Sequence, residues 1–128
     1  MTIFNLRQKI NLAKNVITKS APIYVQFYIT ARCNLACEQC NIIYADAKHQ
    51  EMNIYQINQV AENLKKIGVG IVLLIGGEPF VRKDISEIVK AFTSRNIHVR
   101  MQTNGVATRE QLEECVKVGG KDISISLD

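Results

Sequence analysis

Apolar side chains recur along this chain with two different periods, and the change from one to the other sketches its architecture. Ile3, Leu6, Ile10, Ala13 and Ile17 follow a spacing of three and four residues, a helical stripe with Arg7, Lys9 and Lys14 off it. Pro22 ends that pattern, and Ile23 to Thr30 (IYVQFYIT), rich in β-branched and aromatic residues, predicts a first strand. Asn41 to Met52 has no clear period. From Asn53, a plausible N-cap, Ile54, Ile57, Val60, Leu64 and Ile67 return to helical spacing, and Gly68 supplies the stop. Val69 to Ile75 (VGIVLLI) is a nearly continuous apolar run, as expected of a strand buried on both faces of a parallel sheet. Asp84 can cap the next helix, with Ile85, Ile88, Val89 and Phe92 inward, and Ile97 to Gln102 predicts a third strand. Thr108 with Gln111 forms a capping box for another helix, with Leu112, Cys115 and Val116 inward; Gly119-Gly120 closes it before a fourth strand from Asp122 to Leu127.

After the first helix the order is therefore strand and helix in alternation, which argues for an α/β fold with a parallel sheet and right-handed crossovers. The last strand would have no helix over it, leaving a sheet edge and much of one face bare. That predicts a truncated protein, or one completed from elsewhere. For the N-terminal helix, packing on the domain is weighed against a basic amphipathic helix resting on a membrane surface or a partner.

Composition narrows the class. The 128 residues are 47% apolar and 22% charged, ordinary for one folded domain, with a net charge of +4. The charge is uneven: Arg7, Lys9, Lys14, Lys19 and Arg32 precede the first acid, Glu38. No basic patch interleaved with aromatics follows, which argues against nucleic acid as a partner. No apolar run approaches the roughly 20 residues that span a bilayer, and the N-terminus has no compact apolar signal core. A cytoplasmic, reducing location is expected.

The chemistry concentrates in ARCNLACEQCN, residues 31–41, where Cys33, Cys37 and Cys40 stand in a C-x3-C-x2-C spacing directly after the first strand. Clustered thiolates are soft metal ligands. Zinc wants four protein ligands and iron–sulfur clusters usually take four cysteines, so three leave one position open for something else. Two other readings exist: a zinc site completed by His49, and a Cys37/Cys40 redox pair that leaves Cys33 unexplained. Cys115, alone on an apolar stripe, reads as core, and His98 as structural or exposed. Ligands of parallel α/β folds bind beyond the carboxyl ends of the strands, and each predicted strand here ends on an unusual segment. These are the cysteine loop, Gly76-Gly77-Glu78-Pro79, Thr103-Asn104-Gly105, and Ser126 with Asp128.

With CNLACEQC at 33–40, GGEP at 76–79, QTNG at 102–105 and SLD at 126–128, the chain resembles the N-terminal part of a radical S-adenosylmethionine (radical SAM) enzyme over roughly residues 23–128. The resemblance implies a partial (β/α) barrel of about four strands where the family commonly has six. Residues 1–21 would be an N-terminal amphipathic helix and 22–128 the first part of the core domain. It implies that Cys33, Cys37 and Cys40 hold three irons of a [4Fe-4S] cluster. The fourth iron would take the amino and carboxylate groups of S-adenosyl-L-methionine, whose reductive cleavage yields a 5′-deoxyadenosyl radical directed at an unidentified substrate. Gly76 and Gly77 would bring bare backbone to the methionine moiety, Glu78 would orient that segment and Pro79 stiffen it. Thr103, Asn104, Ser126 and Asp128 become cofactor or substrate contacts. Gln39 stands where the family usually has an aromatic residue beside adenine, which leaves a backbone contact in place of stacking. An external electron donor such as flavodoxin or ferredoxin is implied as partner. The alternative is a non-catalytic iron–sulfur or zinc-binding domain derived from the same fold.

Overall fold

The computed structural model describes residues 3–19, 21–41 and 51–127. Strands β1 (Tyr24–Thr30), β2 (Ile71–Gly76), β3 (His98–Thr103) and β4 (Asp122–Ile125) form one sheet in the order β1-β2-β3-β4. Every neighbouring pair is parallel, so each step along the sheet needs a crossover, and the helices supply them. Helix α2 (Ile54–Ile67) joins β1 to β2, α3 (Ile85–Thr93) joins β2 to β3, and α4 (Arg109–Lys117) joins β3 to β4. Helix α1 (Leu6–Thr18) precedes them all.

The caps anticipated from sequence fix the helix ends. Asn53 exchanges hydrogen bonds with Gln56 and Thr108 with Gln111, both as capping boxes, and Gly68 ends α2 in the left-handed region at φ 88°. Period-two alternation then sorts the strand residues. Val25, Phe27 and Ile29, Val72 and Leu74, Val99 and Met101, and Ile123 face the helices and build the core with Ile57, Ala61, Ile85, Ile88, Val89, Phe92 and Cys115. Phe27 meets Phe92 edge-on at 6.0 Å. Gln26, Tyr28, Leu73, Ile75 and Gln102 point to the other face, where a cavity opens and, among the described residues, no helix packs.

Three expectations need correction. The stripe of α1 does not pack on the domain: Ile3, Leu6, Ile10 and Ile17 are 61%, 75%, 58% and 81% exposed. The helix docks instead through Leu12 and the buried Asn15, because the Asn15 amide donates to the Gly68 carbonyl and the close approach to Gly70 lets Leu12 in. Asp84 precedes α3 without capping it, since its carboxylate is taken by Arg82. On α4 only Leu112 and Cys115 reach the core; Val116 turns outward and is exposed.

Candidate functional site

The carboxyl ends of the four strands meet around a cavity of about 300 Å³. Cys33, Cys37 and Cys40 line it from one side, Gly76 and Gly77 from the end of β2, and Thr103, Asn104 and Ser126 from beyond β3 and β4. Gln26, Tyr28, Leu73, Ile75 and Gln102 complete the wall. Thus the three thiols and five of the polar or glycine positions expected from sequence face one space.

The cysteine loop is held there by backbone. The N–H of Gly77 donates to the Thr30 carbonyl at 3.0 Å and that of Glu78 to the Arg32 carbonyl at 2.8 Å, extending the β1–β2 pairing past the sheet. This zipper is why both glycines are needed: a Cβ on Gly76 would stand 2.4 Å from the Thr30 carbonyl oxygen, and one on Gly77 2.2 Å from that of Arg32. Their bareness therefore serves the approach of the cysteine loop itself. Within the loop, Leu35 N–H donates to Cys33 Sγ at 3.4 Å, and Cys40 N–H to the Cys37 carbonyl at 3.1 Å. All three cysteines are free thiols, half-buried.

Glu78 is fully buried and spends its carboxylate on the protein. It accepts from Phe80 N–H at 3.0 Å, from Thr103 Oγ1 at 2.9 Å and from Asn104 N–H at 2.7 Å. A short loop after β2 thereby fixes the turn after β3. That turn closes on the cysteine loop through Asn104, whose side-chain amide donates to Asn34 Oδ1 at 2.8 Å and reaches Cys33 Sγ at 3.9 Å. Ser126 Oγ accepts from the Gln102 side chain at 2.9 Å. Pro79 is buried in the 3-10 turn Pro79–Val81, and Gln39 is exposed; neither lines the cavity. Asp128 and His49 lie outside the described residues.

Sequence reasoning missed Arg82. It is 4% exposed and donates to the Ile29 and Met52 carbonyls, both at 3.0 Å, and to both oxygens of Asp84. It thus ties the end of β1 to the residues that lead into α2, the two anchors of the cysteine loop. Beside it, Glu51 takes a two-pronged contact from Arg32, at 2.8 and 3.0 Å, and a hydrogen bond from the Thr30 hydroxyl. The Arg32 guanidinium holds the Glu51 carboxyl below its usual range against the opposing effect of burial, and Arg82 does the same for Asp84. The only sequence hint was the R-x-D pairing at 82–84. Gln26, Tyr28 and Gln102 were also missed, although stepping back by twos along each strand would have found them.

The donor set can be tested against a metal group. Among the described residues no three His, Cys, Asp or Glu side chains converge closely enough to hold a single metal ion. Zinc with Zn–S bonds of about 2.3 Å demands such convergence. Three half-buried free thiols on one cavity wall suit an iron–sulfur cube, whose irons each take one thiolate. Cys115 is different: burial, with a smaller push from Glu114, raises its thiol to about 11, so it stays protonated and inert in the core.

Comparison with known proteins agrees with this arrangement. The family model of the radical SAM superfamily matches residues 27–128. The chain is 34% identical over 109 residues to the mycofactocin maturase MftC of Mycolicibacterium smegmatis, covering 84% of this chain and 28% of that protein. It is 33% identical over 110 residues to the GTP 3′,8-cyclase of Peptoclostridium acidaminophilum, covering 82% and 34%. The chain thus spans about a third of the length of these curated relatives. Among solved structures, Streptococcus suis SuiB bound to S-adenosylmethionine superposes with a TM-score of 0.65 at 22% identity, over 94% of this chain and 27% of SuiB. BtrN in complex with AdoMet and 2-DOIA gives 0.70 at 20% identity, over 80% of this chain and 44% of BtrN. The two structures share the fold, and family members use a [4Fe-4S] cluster and S-adenosylmethionine. By its matched length and its curated relatives, this chain belongs to the radical SAM superfamily.

Proposed function

We propose that residues 23–128 form the radical-generating part of a radical SAM enzyme of the cytoplasm. In this reading Cys33, Cys37 and Cys40 hold three irons of a [4Fe-4S] cluster, and S-adenosylmethionine lies along the carboxyl ends of the strands. The observation that carries it is the shared cavity lined by three free thiols and the bare backbone of Gly76 and Gly77. When bound, such a cluster supplies the electron that splits the sulfonium C–S bond into methionine and a 5′-deoxyadenosyl radical. The electron itself comes from an external donor of the flavodoxin or ferredoxin kind.

The chain's own residues divide the binding work. Because the N–H groups of Gly77 and Glu78 are occupied by the Thr30 and Arg32 carbonyls, this segment has only carbonyl oxygens to offer a ligand. Carbonyl oxygens suit the ammonium group of a methionine moiety. Ser126 Oγ already accepts from Gln102, so its own proton is free to donate to a carboxylate or ribose oxygen. The Asn104 amide, held by Asn34, faces the Cys33 sulfur, where a donor tunes cluster potential. Glu78 acts through others: its buried carboxylate positions Thr103 and Asn104. Relatives of nearly equal similarity are a maturase and a GTP cyclase. The shared stretch therefore fits the step common to both, and substrate choice belongs to other parts of a complete enzyme.

Anaerobic reconstitution of the chain tests this. About four iron and four sulfide per chain are expected, and dithionite with S-adenosylmethionine should release 5′-deoxyadenosine. Cys37→Ala should lose the cluster. A chain that takes up iron and sulfide but leaves S-adenosylmethionine intact would instead support a non-catalytic cluster domain, and Cys37→Ala with full loading would remove the ligand assignment.

A further inference from the structure

Helix α1 lies across the amino ends of the sheet strands, at the end remote from the cavity. Its Asn15 amide bonds the Gly68 carbonyl, Leu12 packs against Gly70, Asn5 donates to Asn96 at 3.0 Å, and Phe4 sits 4.5 Å from His98. Gly68 and Gly70 lead into β2, and Asn96 and His98 open β3. The helix is therefore fixed, and fixed by its polar side. At about 100° per residue the docked positions Leu12 and Asn15 stand opposite the stripe of Leu6, Ile10 and Ile17. That stripe points away from the domain, and Ile3, just before the helix, is also exposed.

We propose that this face is an interfacial anchor that lies in the surface of an anionic phospholipid bilayer. Leu6, Ile10 and Ile17, with Ile3 just before the helix, are each more than half exposed, and the helical part of this rib runs about 17 Å at the rise of an α-helix. A convex rib of this kind enters the acyl boundary without needing a groove to receive it. Its edges are basic: Lys9 borders it on one side, Arg7 and Lys14 on the other, where their stems can lie along the apolar face and their charges reach headgroup level. No acidic residue occurs before Glu38, so nothing on this helix repels an anionic surface. No described helix is long and apolar enough to cross a membrane, so the contact is with one surface only. Seated this way, the cavity mouth at the opposite ends of the strands faces away from the lipid. The inference rests on α1 alone and stands apart from the chemistry of the cavity.

Co-sedimentation of the full chain with vesicles tests it. Vesicles of phosphatidylcholine with roughly 30% phosphatidylglycerol should carry down at least about tenfold more chain than phosphatidylcholine alone, and high salt should reduce this. Leu6→Gln with Ile10→Gln should lower sedimentation about tenfold or more while leaving the thermal melt unchanged, since both side chains are exposed. Lys9→Glu with Lys14→Glu should erase the preference for anionic vesicles and decides the matter if the first pair misfolds. Failure to sediment with anionic vesicles, or equal sedimentation of native chain and Leu6/Ile10 variant, overturns the proposal. So does a dimer in sedimentation velocity that the Leu6/Ile10 pair dissociates, because the stripe would then belong to a second copy.

Discussion

Glu78 shows how much of the site rests on single atoms. Its carboxylate is an acceptor for three protein donors and is sealed from the protein surface. In Glu78→Gln an amide N–H₂ must face one of those donors, leaving buried groups unpaired at a cost on the order of 2–4 kcal/mol. Urea unfolding should therefore show a clearly lower midpoint for this nearly isosteric change; an unchanged midpoint would mean that the turn at Thr103-Asn104 is held by something else. Sequence alone placed Glu78 in the right segment and gave it an orienting role. The identity of its partners was not readable, because Thr103 and Asn104 are 25 and 26 residues away and only the fold brings them together.

The elements divide by the kind of signal that writes them. Helices α2 and α4 are legible because periodicity, a capping box and a terminal glycine all agree. Helix α1 is also legible as a helix, but its docked face is not. Hydrophobic periodicity assumes that the apolar side goes inward, whereas here a hydrogen-bonded Asn15 is the buried residue. Arg82 escaped notice for a similar reason: a buried arginine answered by distant carbonyls leaves no pattern. The glycines separate two causes that look alike in sequence. Gly77→Ala would drive a Cβ into the rigid backbone of Arg32, 2.2 Å from its carbonyl oxygen, and should displace the cysteine loop and lower stability, by about 3 kcal/mol. Gly105→Ala meets nothing closer than Ile125 at 3.6 Å and suffers only its φ of 86°, a penalty of about 1 kcal/mol. Reconstituted iron content and urea midpoint should fall far more for the first variant; equal losses would contradict the zipper between β2 and the loop.

At the scale of the molecule, one end of the sheet carries the cavity and the anchors of the cysteine loop, the other carries α1. The anchors titrate. Glu51 and Asp84 both have folded pKa values depressed by arginine, so their contribution to stability is complete above the ordinary carboxylate range and is lost as pH falls through the depressed values. The urea midpoint should be flat from neutral pH downward and drop below about pH 4, with a shallower acid limb in Asp84→Asn; an identical limb in that variant would exclude the Arg82–Asp84 pair as a cause. The α/β class and the parallel sheet were readable from alternation alone, and the seating of the motifs from their places after each predicted strand; the spatial order β1-β2-β3-β4 was not. What the three thiols do together was readable only by resemblance, and it is the claim on which the functional account stands. Electron paramagnetic resonance of the reduced, anaerobically reconstituted chain tests it most directly. On the proposed ligation one iron would have no cysteine and would be open to a new ligand, so added S-adenosylmethionine should change the spectrum of the cluster. A spectrum identical with and without S-adenosylmethionine would contradict the account.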